Sequence, residues 1–248
     1  LASGEPAAAG DAAPVTGASS APPTTTATGM APVDAPPASA ASTASPAVPA
    51  TVSPASAPLP ADVLLGWAQQ TSIRTGVPVV ALQAYGYAEL VLAETKPECK
   101  LRWTTLAAIG QVESNHGRAK GARLLDDGRA WPPIVGDPLD GRDGRAHIAD
   151  TDSGRIDGDP VYDRAVGPMQ FIPATWREAA VDASGDGVAD IHNIHDAALA
   201  AANYLCGGGR DLSTADDWWA AILAYNNVRS YADEVFSVAN DYGRRSRA

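Results

Sequence analysis

The sequence predicts an all-α folded domain behind a disordered N-terminal segment, and three observations carry this prediction. Residues 1–60 contain no Lys, Arg, aromatic residue or Cys and consist largely of Ala, Pro, Ser and Thr. After residue 60, where all six Trp and all seven Tyr lie, apolar residues recur at helical spacing. No alternating strand pattern of useful length accompanies them. We therefore divide the chain into a linker, residues 1–60, and a folded domain, residues 61–248.

The N-terminal segment has too little apolar side-chain area to offset its conformational entropy, so it is predicted to be disordered. Its prolines stiffen it locally, which suits a tether. Because the chain begins with Leu1, we expect another segment, such as an export signal, to precede it. No apolar run approaches the length of a membrane span, so no transmembrane segment is expected.

Helical periodicity and helix-ending residues predict seven helices in the folded domain. They cover residues 61–71, 78–96, 103–115, 173–180, 196–206, 214–225 and 230–242. In the first helix, Val63 and Trp67 are predicted to share one apolar side. Ser213 or Thr214 is predicted to cap the sixth helix, and Ser230 the last.

The segment 120–164 differs from the rest of the domain. It is rich in Asp, Gly and Pro and lacks periodicity. Such long connections are usually functional, disordered or both. We expect at most a small β element within it.

Charge and cysteine content limit the possible partners. The formal net charge is −11, which argues against nucleic acid or an anionic membrane as the main partner. Cys99 and Cys206 are too few for a zinc site of the paired-cysteine type. They are either two buried free thiols or one long-range disulfide, and the tail, typical of an exported protein, favours the disulfide.

Glu113 is the first candidate for chemistry. It lies on the same face of its predicted helix as Leu106 and Gly110. It also falls in the last turn, where the helix dipole disfavours a negative charge. Burial and the dipole would both raise its pKa, as a general acid near neutrality requires. The alternative from the pattern alone is a solvated glutamate on an exposed face.

Three sequence motifs bear on this choice: Ala-Ile-Gly-Gln-Val-Glu-Ser-Asn-His-Gly-Arg at 108–118, Ala-Val-Gly-Pro-Met-Gln-Phe-Ile-Pro-Ala-Thr-Trp at 165–176, and Ala-Tyr-Asn at 224–226. In order and spacing they resemble the three signatures of lytic transglycosylases, with the membrane-bound lytic transglycosylase B family and its secreted variants as the nearest relatives. The resemblance runs from about residue 62 to 243. It implies a secreted enzyme with a goose-lysozyme-like fold, which acts on peptidoglycan.

The resemblance also implies a mechanism with one carboxyl group. Glu113 would protonate the glycosidic oxygen between N-acetylmuramic acid and N-acetylglucosamine, while the acetamido group of the substrate stabilises the positive centre. Ionised Glu113 would then deprotonate the C6 hydroxyl, which closes a 1,6-anhydro ring. Ordinary glycosidases use a second carboxylate instead. Peptidoglycan strands are the expected partner, with no organic cofactor and a monomeric enzyme.

Further site residues follow from the same resemblance. Gln170 matches the amide that contacts substrate, and Tyr225 and Asn226 match the motif that lines the cleft. Tyr204 matches an active-site tyrosine on the preceding helix. Relatives carry a Ser and a Gly where this chain has Val161 and Arg164. Asp163, between them, could orient or tune Glu113 in place of that Ser, or could activate water.

The segment 182–196 predicts a calcium loop. Asp182, Ser184, Asp186 and Asp190 stand at positions 1, 3, 5 and 9 of an EF-hand pattern, with Gly187 at the turn position. Position 12 is a poor ligand, Asn193, but the resemblance implies a larger loop closed at position 15. The assigned ligands are Asp182, Ser184, Asp186, the carbonyl of Val188, and Asp196. The alternative is an acidic turn without a metal.

Three classes of function remain open from the sequence. The transglycosylase is favoured. A hydrolase of the same substrate depends on Asp163 as a second carboxylate. An inactive wall-binding domain is disfavoured because Glu113, Gln170, Tyr225 and Asn226 are all present.

Overall fold

Seven α-helices dominate the part of the chain that the computed structural model describes, residues 58–248. The predicted disordered linker, residues 1–60, lies outside the described residues except for its last three positions. The helices are α1 Leu65–Thr75, α2 Val79–Thr95, α3 Trp103–Ser114, α4 Pro173–Ala179, α5 Ile194–Leu205, α6 Ala215–Tyr225 and α7 Arg229–Arg245. Short 3-10 turns occur at Pro60–Leu64, Pro97–Cys99 and Gly207–Gly209. The predicted helix-rich fold is confirmed.

Local stop and start signals explain most helix boundaries. Gly76 ends α1 with a φ of 77°, a conformation that costs glycine little. Pro78 then precedes α2, and Pro97 follows its end. The Thr214 side chain accepts a hydrogen bond from the N–H of Asp217 and caps α6, as predicted.

Two details of the helix prediction were wrong. Ser230 lies inside α7, whose N-cap residue is Val228. Val63 is 80% exposed rather than packed beside Trp67, because residues 60–64 form a 3-10 turn and not the first turn of α1. A 3-10 turn has three residues per turn, so it points side chains in other directions than an α-helix does.

The segment 120–164 is ordered by two small antiparallel sheets. Strand β1, Arg123–Leu124, pairs with β2, Ala130–Trp131. Strand β3, Val135–Pro138, pairs with β4, Arg164–Val166, across an irregular register. The fold is therefore nearly all-α, with a β element somewhat larger than expected.

The core forms where the helices pack in pairs. Helix α2 packs against α5, and α3 packs against α7. Five alanines on α5 are fully buried, and their small side chains let the α2 backbone come close. They are Ala197, Ala198, Ala200, Ala201 and Ala202. This packing leaves the C-terminal end of α3 facing both α7 and the loop after β4.

The predicted disulfide is present between Cys99 and Cys206, whose Cα atoms lie 5.5 Å apart. It joins the turn before α3 to the end of α5. In the described part of the chain, no single helix has both the length and the apolar character needed to cross a bilayer. Pro60–Thr75 and Val79–Thr95 meet the length and composition criteria only as a pair, with a bend of 118° between them.

Candidate active site

Glu113 occupies the last turn of α3, as predicted. The helix ends at Asn115, which adopts a left-handed conformation with a φ of 50°. The N–H of His116 then donates to the carbonyl of Gly110, a bond that closes the helix end. Because unpaired carbonyls gather at this end, the helix dipole disfavours the ionised form of Glu113.

Tyr231 holds the Glu113 carboxyl in place. Its hydroxyl donates a hydrogen bond of 2.7 Å to Oε1 of Glu113. Burial raises the pKa of Glu113 from its ordinary value to about 8, although the hydrogen bond from Tyr231 lowers it. The carboxyl remains only partly exposed to solvent. A carboxylic acid with this pKa carries its proton at neutral pH and can donate it.

The predicted motif at 165–176 meets the end of α3. Ser114 donates through Oγ to the carbonyl of Pro168 at 2.6 Å, and the N–H of Gly117 donates to the same Oγ at 2.7 Å. Gly167 has a φ of 80°, and a Cβ there would clash with the carbonyl of Ile191. Only glycine therefore fits at the turn that connects this motif to the acid.

Gln170 is buried at that turn. Its backbone has a φ of 49°, uncommon for a residue with a side chain, and its Nε2 donates to the carbonyl of Gly167 at 2.9 Å. This bond fixes the direction of the amide. Met169 and Phe171, on either side of Gln170, are buried in the core.

Tyr225 connects Glu113 to the motif. Its hydroxyl donates to the carbonyl of Met169 at 2.8 Å. Burial raises its pKa well above the usual value, and the nearby charge of Glu113 adds to the increase. Tyr204 packs edge-on against the Tyr225 ring at 5.8 Å, and its hydroxyl donates to the carbonyl of Ala224. The structure thus brings Glu113, Tyr204 and Tyr225 into one cluster.

Asn226 ends α6 and is fully buried. Among the described residues, neither its amide nitrogen nor its amide oxygen has a hydrogen-bond partner. Buried polar groups are normally paired, so this unpaired amide calls for a bound water or another polar group.

Asp163 lies directly before β4. It is fully buried, and its carboxylate accepts hydrogen bonds from the N–H and hydroxyl of Thr151. Burial raises the pKa of Asp163, and the charges of Asp157 and Asp152 act in the same direction. Burial and Tyr231 account for the pKa of Glu113, so the expected repulsion from Asp163 is not among its causes. The assignment of Asp163 to the substrate site stays a prediction.

A buried chain of hydrogen bonds supports α3 from behind. His116 contacts the Tyr85 hydroxyl through Nδ1 and the Tyr242 hydroxyl through Nε2, both at 3.0 Å. Tyr242 in turn donates to Oε1 of Gln111. Gly110 leaves room for this chain, because a Cβ there would clash with the Tyr85 hydroxyl.

Tyr231 and the His116 chain were missed by the sequence reasoning. Tyr231 follows Glu113 by 118 residues and belongs to no motif, so only the packing of α3 on α7 reveals it. One sequence signal was available for His116. It follows the end of the helix that carries Glu113, and a histidine that is buried there needs hydrogen-bond partners for its two ring nitrogens.

Two surface clefts lie away from this cluster. One, of about 420 Å³, is lined by Glu89, Lys100 and Arg102, and the other, of about 240 Å³, by Trp67 and Trp103. Neither is lined by a residue of the Glu113 cluster. The Glu113 cluster is the candidate site, because acid catalysis depends on the protonation state of a carboxyl group and not on the depth of a cleft.

Comparison with known proteins gives a family match and a structural similarity. The profile of the family described as "Transglycosylase SLT domain" matches residues 160–218, about a quarter of the chain. The crystal structure of SltB3 from Pseudomonas aeruginosa in complex with NAG-anhNAM-pentapeptide resembles this chain with a TM-score of 0.39 and 19% identity. That similarity covers 73% of this chain and 71% of SltB3. No curated protein matches the chain.

The family match covers part of the predicted site. Gln170 and Tyr204 lie within it, as does the predicted calcium loop. Glu113, Tyr225 and Asn226 lie outside it. The matched segment is therefore the one that meets the end of α3 through Pro168.

Proposed function

We propose that this chain is a peptidoglycan lytic transglycosylase with Glu113 as its acid and base. The observation that carries the proposal is the single partly buried carboxyl with a pKa of about 8, held by Tyr231. The Transglycosylase SLT domain match over residues 160–218 supports the same reaction class. We further propose that the chain is similar to the transglycosylase B family and has its goose-lysozyme-like fold.

The proposed reaction begins with protonated Glu113. It gives its proton to the glycosidic oxygen that leaves N-acetylmuramic acid, and the acetamido oxygen of that sugar stabilises the developing positive charge. The resulting carboxylate is stabilised by the hydrogen bond from Tyr231. It then takes the proton of the C6 hydroxyl, whose oxygen closes the 1,6-anhydro ring, so Glu113 ends the cycle protonated again.

Tyr225, Gln170 and Asn226 would bind the sugars. The Gln170 amide is fixed by Gly167, so Oε1 is left to accept from a sugar hydroxyl or amide. The unpaired amide of Asn226 would pair with a second polar group. Water is a poor competitor in such a site, because the groups around Glu113 are a phenol and buried core residues rather than a second carboxylate that could activate it.

Mass spectrometry of digested peptidoglycan tests this proposal. We expect fragments that end in 1,6-anhydro-N-acetylmuramic acid, whereas a hydrolase would release reducing ends. Glu113→Gln should remove the activity. Glu94→Gln makes the same change at an exposed position of α2 and should retain it. Reducing ends as the main product, or activity that survives in Glu113→Gln, would contradict the mechanism.

We also propose calcium at the 182–196 loop. The loop turns at Gly187 with a φ of 88°. The buried carboxylate of Asp196 accepts from the N–H groups of Ala183, Ser184 and Asp190. Two of these bonds go to Oδ1 and one to Oδ2, so a lone pair of Oδ2 is left for a cation. Calcium should raise the melting temperature, and Asp186→Asn should reduce that rise.

Finally, we propose that the protein is secreted and works at the cell wall as a monomer. The Cys99–Cys206 disulfide supports an oxidising compartment. Detection of the folded, disulfide-bonded protein outside the cytoplasm tests the location, and sedimentation of the pure protein tests the monomeric state.

A further inference from the structure

Three carboxylates converge in the loop between Asp150 and Asp163. One oxygen from each of Asp150, Asp152 and Asp163 lies within 4.8 Å of the other two. Backbone pairing closes the loop at its base, because Asp150 donates through N–H to the carbonyl of Val161 and Asp163 donates to that of Ile148. The cluster shares no residue with the predicted ligands of the 182–196 loop.

An unpaired buried oxygen sets this cluster apart from an ordinary acidic turn. Asp152 is 3% exposed. Its Oδ2 accepts from the N–H of Ile156 at 2.7 Å. Its Oδ1 is buried and has no hydrogen-bond partner in residues 58–248. A buried anionic oxygen without a donor is rare in native proteins and calls for a bound water or ion.

Neighbouring arginines do not neutralise the cluster. Asp140 and Asp159, in the same loop region, pair with Arg145 and Arg164. In contrast, none of the three clustered carboxylates forms a salt bridge within the described residues. Arg155 and Arg177 also reach the loop, but they donate to the main-chain carbonyls of Asp152 and Thr151. Three close carboxyl groups, one of them fully buried, therefore have no paired cation within residues 58–248.

We propose that Asp150, Asp152 and Asp163 bind one calcium ion. Carboxylate oxygens are hard ligands, which calcium prefers, and calcium tolerates the irregular geometry of a loop. Magnesium demands a near-octahedral arrangement and retains several waters, which suits a buried oxygen such as Oδ1 of Asp152 less well. This inference does not depend on the proposed function, because no catalytic residue takes part in it.

A cation at this site would stabilise β4, the strand that leads to the turn with Gln170. Asp163 directly precedes β4, and the loop from β4 leads to Gln170. The N–H of Arg164 already donates to Asp157 at 2.6 Å, so the start of β4 is anchored within the same loop. A cation that bridges Asp152 to Asp163 would join the two ends of the loop and hold β4 in register with β3.

Calcium titration calorimetry on the full chain, after treatment with a chelator, tests the proposal. Asp152→Asn should weaken one class of calcium site about tenfold or more. Asp182→Asn, in the other loop, should leave that class unchanged. Asp143→Asn is the matched control, since Asp143 is exposed and lies outside the cluster. An isotherm of Asp152→Asn that equals the wild type would overturn the proposal, as would loss of all calcium binding in Asp182→Asn alone.

Thermal melting distinguishes a carboxylate that binds calcium from one that has only a structural role. With chelator, Asp152→Asn should melt at or above the wild-type temperature, because the amide removes a buried unpaired charge and can still accept from Ile156. With calcium at about 100 times its Kd, the wild type should gain about 5 °C or more that the variant does not gain. If the melting temperature of the variant lies below that of the wild type by the same amount with chelator and with calcium, calcium binding at this cluster is refuted. If magnesium raises the melting temperature of the wild type more than calcium does, the choice of cation is refuted.

Discussion

The hydrogen bond from Tyr231 to Glu113 should set the pH range of activity, and Tyr231→Phe tests this. The phenol donates to Oε1 at 2.7 Å, so it stabilises the ionised carboxyl more than the protonated one. It therefore lowers the pKa of Glu113, which burial holds at about 8. Removal of the hydroxyl leaves burial unopposed, and the pKa of Glu113 should rise further.

The size of the rise follows from the energy of the bond. A hydrogen bond to a charged group contributes about 1.5–3 kcal/mol. One pKa unit corresponds to about 1.4 kcal/mol, so the pKa of Glu113 should increase by about one to two units. Because the acid must be protonated in the free enzyme, the alkaline limb of kcat/KM should move to higher pH by the same amount.

The assay is release of anhydro-ended fragments from purified glycan strands, followed by chromatography across the pH range. Circular dichroism melting confirms that the variant is folded. Tyr87→Phe removes a hydroxyl from α2 that makes no hydrogen bond to Glu113, and it should leave the limb in place. A folded Tyr231→Phe whose alkaline limb stays fixed or moves to lower pH would refute the reasoning.

Three further predictions concern stability and are checked by denaturant unfolding. Glu113→Gln should stabilise the protein above pH 8 but not below pH 4. The pKa of Glu113 is raised from 4.5 to about 8 in the folded state, so the carboxyl destabilises that state as pH rises through this window. The gain in the free energy of unfolding is at most about 5 kcal/mol, and the residual solvent contact of the carboxyl reduces it. Replacement of Cys99 and Cys206 by Ser should cost about 4–5 kcal/mol, the loop-entropy value for about 100 residues, and an unchanged midpoint would contradict it. Gly110→Ala should destabilise by about 1–3 kcal/mol because its Cβ displaces the Tyr85 hydroxyl, and a stabilised variant would argue against that packing.

The parts of the fold that depend on local chemistry could be predicted. The cap at Thr214 requires only neighbouring residues, so the sequence suffices for it. The place of Glu113 in the last turn of a helix could be predicted from one helix, but this pattern also allowed a solvated glutamate, and only the resemblance of the three motifs favoured Glu113 as the acid. The predicted disulfide is confirmed, and with two cysteines the only question for the sequence was whether they pair or stay free.

What the sequence could not predict depends on distant contacts. Tyr231 approaches Glu113 only because α7 packs on α3, and the nearby Ser230 was taken for a cap because it is a good one in isolation. The order in segment 120–164 comes from pairing of β3 with β4, strands of four and three residues that leave no periodic pattern. The role expected for Asp163 rested on its spacing from Gln170, whereas its contacts are made by Thr151 across the loop.

The chain of hydrogen bonds through His116 has a direction. Oε1 of Gln111 carries no proton, so Tyr242 must donate to it and accept from Nε2–H of His116, and Nδ1 must then accept from Tyr85. Burial lowers the pKa of His116 to about 3, so the ring stays uncharged while Glu113 titrates. A histidine three positions from the acid would ordinarily add its own inflection near pH 6.5. Here the imidazole of His116 does not titrate in that range. An inflection near neutrality in the pH–rate profile can therefore be assigned to Glu113 rather than to His116.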